Sequence, residues 1–225
     1  MLSRVADHLY WMSRYLERAQ HTARLLDVTL DLVPDRTPLA VTQAWERLFL
    51  SLHLQPPAAL PLKGRPVTQL LALDAKYDSS VVHHIAVARD NARQVRELIS
   101  TEMWEQINRM YLDLQQAHME RIWAEPHPFF QSVKQGAHLF QGITDSTMVR
   151  GEGWHFIHLG QFIERAGNVA ALLSAYLAVE ETGLSALHAS DLYVEWLGLL
   201  RSCTAFEAFC KVYSADLQFE QIAEF

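Results

Sequence analysis

Glycine, proline and cysteine are scarce in this chain of 225 residues, at nine, eight and two. So few helix breakers over such a length favour long helices over strands joined by tight turns. The nine glycines are scattered, and none opens a Gly-rich strand-to-helix turn, which excludes a phosphate-cradling loop or a dinucleotide fingerprint. Cys203 and Cys210 are too few for a zinc cluster. Seven residues apart on one helix, they would stand about 10.5 Å apart along its axis, too far for a mutual disulfide. They read as ordinary buried thiols of a reducing compartment. The longest apolar stretch, Val169 to Val179 with Ser174 inside it, is too short to span a bilayer. The N-terminus has no signal-peptide run, so a cytoplasmic protein without membrane contact is expected. Positive charge is also short: 19 Lys and Arg stand against 26 Asp and Glu, for a net charge of −7. A general nucleic-acid surface needs the opposite balance. A di-iron bundle would repeat Glu-x-x-His and add further glutamates. The single example, Glu152-Gly153-Trp154-His155, sits at an expected helix start. No metal and no cofactor are expected.

Half of the residues are hydrophobic, enough for a full core. Val5, Leu9, Met12, Leu16, Ala19, Ala23, Leu26, Leu30 and Val33 alternate spacings of four and three, an unbroken seam that no strand can produce. The spacing predicts one helix over 4–33, ended by Pro34. Further helices are expected over about 39–54, 67–74, 80–99, 100–124, 129–142, 154–181 and 191–212, with a short amphipathic tail at 216–225. Pro126 and Pro128 are expected to close the helix over 100–124. The stretch from Thr144 to Gly153 reads as a polar connection, either a ligand loop at Thr144-Asp145-Ser146-Thr147 or a turn in which Asp145 or Ser146 caps the next helix. No alternating, strand-like segment occurs, so the fold class is all-α, a helical bundle.

The chain also repeats itself. Leu16-Glu17-Arg18-Ala19 in the first long helix matches Ile163-Glu164-Arg165-Ala166 in the later one. The seam recurs there as Phe156, Leu159, Ile163, Ala166, Ala170, Leu173 and Leu177. Trp45-x-x-Leu48-x-x-Ser51 matches Trp196-x-x-Leu199-x-x-Ser202. A duplicated long-helix hairpin is expected, with units at about 4–54 and 154–212 and a helical insert over 67–142. All of 1–225 then forms one domain.

Each copy carries Glu-Arg in mid-helix, with the arginine in an otherwise apolar row. An isolated buried cation is costly and needs an acidic partner. Arginine can supply two parallel bonds to a carboxylate. The two copies are therefore expected to face each other, with Glu17 pairing Arg165 and Glu164 pairing Arg18. One reading of the four residues is an ion-pair cluster that sets helix register. Another is the wall of a polar pocket for a small ligand, with Tyr10, Arg14, Asp145, Glu152, Trp154 and Asn168 as further candidates, and a third is that the arginines snorkel to water. Loss of Arg165 alone is expected to cost several kcal/mol, about 3–5 for a broken buried pair. Catalytic residues are not evident.

Three blocks carry a family resemblance. The first is Met1-Leu2-Ser3-Arg4-Val5-Ala6-Asp7 with Leu9-Tyr10-Trp11 and Tyr15-Leu16-Glu17-Arg18-Ala19. The second is Ala88-Arg89-Asp90-Asn91-Ala92-Arg93 with Ser100 to Trp104 and Asn108. The third is Thr144-Asp145-Ser146-Thr147-Met148, Gly151-Glu152-Gly153-Trp154 and Glu164-Arg165-Ala166. Together they resemble the bacterial alpha-E family, helical domains of unknown function with a Glu-Arg motif, over nearly the whole chain. His155 and His158 stand where the family pattern suggests basic residues. The chain stops at Phe225 where family members continue into further helices, as in a short member or a truncated sequence. The resemblance implies an accessory protein found beside a circularly permuted ATP-grasp ligase and a transglutaminase-like cysteine peptidase. The implied role is a non-catalytic scaffold, or a component presenting substrate for peptide or amide ligation. The rival reading is an enzyme or small-ligand binder using the Glu/Arg pocket. A homo-oligomer is compatible with either.

Overall fold

The periodic first segment forms one helix of 30 residues, α1 (Ser3–Leu32), in a computed structural model. The structure describes residues 1–34, 36–183, 189–214 and 217–225, without the side chains of 178–183, 189–191 and 219. The other α-helices described are α2 (Pro38–Ser51), α3 (Gly64–Thr68), α4 (Val81–Gln94), α5 (Thr101–Gln115), α6 (Met119–Ala124), α7 (Pro126–Thr147), α8 (Glu152–Gly183), α9 (Ala189–Ser202), α10 (Phe206–Tyr213) and α11 (Phe219–Glu224). A π-helical turn (Gln69–Leu73) continues α3, and a 3₁₀ turn (Arg96–Leu98) follows α4. No strand occurs among the described residues, and the fold is all-α. Among them, no helix is long and apolar enough to cross a membrane.

Helix starts follow local chemistry. Thr37 Oγ1 accepts a bond from the Ala40 N–H ahead of Pro38. Ser80 and Ser100 accept in the same way from His83 and Met103, each at 3.1 Å. Other boundaries differ from the sequence expectation. Pro126 opens α7 instead of closing α6, because the N–H it lacks has no partner in a first turn anyway. At its far end α7 runs to Thr147. The hydroxyls of Thr144, Ser146 and Thr147 bond back to the carbonyls of Phe140, Gly142 and Ile143, so they find their partners within the helix. The expected helix over 191–212 is broken at Thr204, whose φ is 56°, and restarts as α10. Cys203 lies in that break and Cys210 on α10. Both are only half-buried, so neither is the core thiol expected.

The chain divides into two compact units. The first comprises Met1–Arg24 and Arg65–Gly167. In it α4 packs on α5, α5 on α7 and α6 on α7. Its core holds Leu9, Met12, Leu16, Ala19, Ile85, Met103, Ile107, Phe130 and Phe140, all essentially without solvent contact. The α1 seam is thus core, as its period demands. The second unit comprises Leu25–Gly64 and Asn168–Phe225, and buries Leu26, Trp45, Phe49, Leu172, Trp196, Leu199 and Phe209.

The seam on α8 is not core. Leu159, Ile163, Leu173 and Leu177 are 46, 44, 38 and 45% exposed, while Ile157, Gln161, Glu164, Ala171, Leu172 and Ala175 are buried. Two contacts turn the helix this way. Glu164 reaches two arginines of α1, and Gly160 lies against the main chain of α1. A Cβ on Gly160 would collide with the carbonyl oxygen of Tyr10.

That contact gives a paired prediction. Gly160→Ala should destabilise by about 1–3 kcal/mol through overpacking, despite alanine's better helix propensity. Gly167→Ala, with open space around the new methyl, should instead stabilise by up to about 1 kcal/mol. Thermal melts of the two variants that move in the same direction would contradict the close approach.

Candidate functional site: a double Glu–Arg clasp

The Glu-Arg residues of α1 and of the first half of α8 meet inside the first unit. Glu17 Oε1 accepts from Arg165 Nε at 2.8 Å, and Oε2 accepts from Arg165 Nη2 at 3.1 Å. Gln141 of α7 adds a third donor to Glu17 Oε2 at 3.3 Å. Glu164 bridges two arginines: Oε1 accepts from Arg18 Nε and Oε2 from Arg14 Nε, each at 2.6 Å. Arg14 also donates to the Tyr10 hydroxyl at 2.9 Å. Its guanidinium lies over the Trp11 ring, and that of Arg18 over Tyr15.

Burial is unequal across the clasp. The carboxylates of Glu17 and Glu164 are 4% and 7% exposed, whereas Arg165 is 46% exposed. Arg165 is therefore not the buried cation expected from its apolar row. It reaches the buried Glu17 carboxylate from a half-wet position. Its hydrogen bond to Glu17 holds its pKa above the ordinary arginine value. Burial works against the charge of Arg14, but the bond to Glu164 and that residue's charge outweigh it and raise the pKa. Every oxygen of both carboxylates accepts from a guanidinium, so both acids are engaged in holding α1 and α8 together.

A family model described as a predicted alpha-helical domain with a conserved ER motif matches residues 1–225, the whole chain. The chain belongs to the Alpha-E family. No curated protein and no solved structure matches it.

The remaining pocket candidates of this Alpha-E domain have the following surroundings. Tyr10 and Glu152 line one groove of about 650 Å³ together with Phe156, Leu159 and Ile163. Glu152 and Trp154 line another of about 730 Å³, with Leu2, Leu98 and Met148. The Glu152 carboxylate is 2.6 Å from the N-terminal ammonium, which pulls its pKa below the usual range. Arg14 belongs to the clasp. Asp145 caps no helix: it accepts from Trp154 Nε1 at 3.1 Å and lies 2.9 Å from His158 Nε2. Asn168 belongs to the second unit, where its side-chain nitrogen is buried without a partner. Of these six residues, Arg14 and Asp145 spend polar atoms on close neighbours, and Tyr10 and Trp154 line different grooves. Among the described residues, no group of three His, Cys, Asp or Glu could hold a metal ion.

The second unit contains a charge cluster that the sequence reading passed over. Glu195 of α9 takes a bond from Arg36 on one oxygen and an ion pair from Arg47 of α2 on the other. All three side chains are 3–4% exposed. Arg47 also lies 4.7 Å from the centre of the Tyr176 ring. Burial pushes the Tyr176 hydroxyl up to about 12. A cavity of about 30 Å³ adjoins the cluster between α1, α2, α8 and α9, enough for a water molecule. The one signal in the sequence was Glu195 itself, a lone acid in the apolar run from Leu192 to Leu200.

Two buried histidines of the Alpha-E domain give a pH dependence. Burial lowers His21 to about 4, and lowers His84 to about 3 with help from Arg18 and His83. Both rings are neutral in the folded chain, while unfolded histidines titrate near 6.5. Below that pH the unfolded state takes up protons that the folded state refuses. The stability present above about pH 6.5 is thus lost as pH falls toward the folded values. For His84 the loss between pH 6.5 and 4 is on the order of 3 kcal/mol. Urea midpoints measured from pH 7 to 4 should drop steeply for the native chain and more gently for His84→Gln. Equal slopes would mean that the His84 ring titrates freely.

Proposed function

We propose that this Alpha-E domain is a non-catalytic helical scaffold, or a substrate-presenting accessory protein, in a peptide- or amide-modification system. Its working partners are a circularly permuted ATP-grasp ligase and a transglutaminase-like peptidase. The observation that supports the non-catalytic part is the clasp: the buried acids of the family motif are bonded at every oxygen to arginines that hold the helices. The partners rest on the family resemblance, and a cytoplasmic location is part of the same reading. In the same reading α1–α2 and α8–α9 are two copies of one hairpin within a single domain, and the reciprocal Glu–Arg pairs support that duplication.

The test is a pull-down of the tagged full chain from its native host, followed by mass spectrometry. An ATP-grasp protein enriched over a mock column is expected. Ligation by the purified ligase should then rise when the chain is added. Enrichment of neither enzyme, or substrate turnover by the chain alone, would overturn the proposal.

A further inference from the structure

Arg89 of α4 is a half-buried guanidinium held by everything except an acid. Its Nε donates to Asn108 Oδ1 of α5 at 2.7 Å. Its Cζ lies 4.5 Å from the centre of the Tyr111 ring and 5.5 Å from that of Trp104. Arg96, in the 3₁₀ turn, places its own Cζ 5.2 Å from the same Trp104 ring. Arg89, Trp104, Asn108 and Tyr111 are half-buried, and Arg96 is exposed. Among the described residues neither arginine meets a carboxylate, on a chain whose net charge is −7. By contrast Arg14, Arg18, Arg36 and Arg47 each hold a glutamate.

This arrangement fixes the guanidinium and leaves its working edge unused. The two rings restrict its plane, and Asn108 occupies the Nε–H. The terminal Nη groups make no bond among the described residues. A guanidinium held in this way offers two parallel donors in the plane that a carboxylate matches. Because the side chain is already ordered, little rotamer entropy remains to be lost when a ligand binds. The second guanidinium at Trp104 favours a ligand with more than one acid group.

We propose that Arg89 and Arg96, gathered around Trp104, form a binding site for carboxylate side chains of an acidic peptide. The site lies on α4, the 3₁₀ turn and α5, apart from the clasp, and does not depend on which enzymes the domain works with.

The test titrates a fluorescein-labelled tetraglutamate peptide with the full chain and follows anisotropy. The native chain is expected to bind. Arg89→Lys keeps the charge but loses the fork, and should weaken binding about tenfold or more. Arg93→Lys, on the same helix but 3.4 Å from Asp90, should change it by less than about twofold. Succinate should displace the peptide better than inorganic phosphate does at equal concentration. Should Arg89→Lys melt early, the indole N–H resonance of Trp104 in the native chain serves instead, and it should shift as peptide is added. The proposal is overturned by absence of peptide binding at millimolar concentration, by equal losses at Arg93 and Arg89, by displacement by phosphate alone, or by an unmoved Trp104 resonance.

Discussion

Glu195→Ala is expected to destabilise the chain by about 3–5 kcal/mol, the range for removing one partner of a buried ion pair. In a chain of this size that corresponds to a melting temperature lower by about 6–20 °C. The reason is geometric. Arg36 and Arg47 are each 4% exposed and approach the same carboxylate. Removing it takes the carboxylate away from two desolvated guanidiniums. Replacing all three residues with apolar ones of similar volume should recover much of the loss, since the charges then vanish together. A thermal melt separates the outcomes. A single variant that melts like the native chain would show that water reaches the cluster.

Glu164→Ala is expected to cost somewhat less, about 2–4 kcal/mol. The side chains of Arg14 and Arg18 keep 21% and 30% of their exposure, so solvent can take over part of the lost interaction. Arg165→Met should cost less again, about 1–3 kcal/mol. The arginine is half-exposed, and the loss lies mainly with Glu17, which retains only the amide of Gln141. The order Glu195, Glu164, Arg165 can be read from urea midpoints at pH 7. A larger loss for Arg165→Met than for Glu164→Ala would reverse this account of which side of the clasp is buried.

The first long helix was legible because its seam is periodic and free of Gly and Pro, so no rival structure satisfies it. The Glu-Arg motif was legible as a pair because two copies placed a cation in an apolar row, and each cation demanded an acid. The rotation of α8 was not legible. Its seam residues are larger and more apolar than the face it buries, and period alone ranks them as core. What decides the rotation is a glycine that admits a neighbouring backbone and an acid drawn by two arginines, neither of which registers as hydrophobicity. The break at Thr204 carries no Gly or Pro to announce it. Arg36 lies in a Pro-bounded segment that reads as solvated loop, so its burial against Glu195 could not be inferred from local composition.

The close approach at Gly160 constrains how such a chain could change over generations. The atom it avoids is a main-chain oxygen, and every residue type that could replace Tyr10 carries the same oxygen. No compensating substitution at position 10 can open room for a side chain at position 160. Relief would require the two helices to separate along their length, and with that the lengths of the ion pairs at Glu164 would have to be renegotiated.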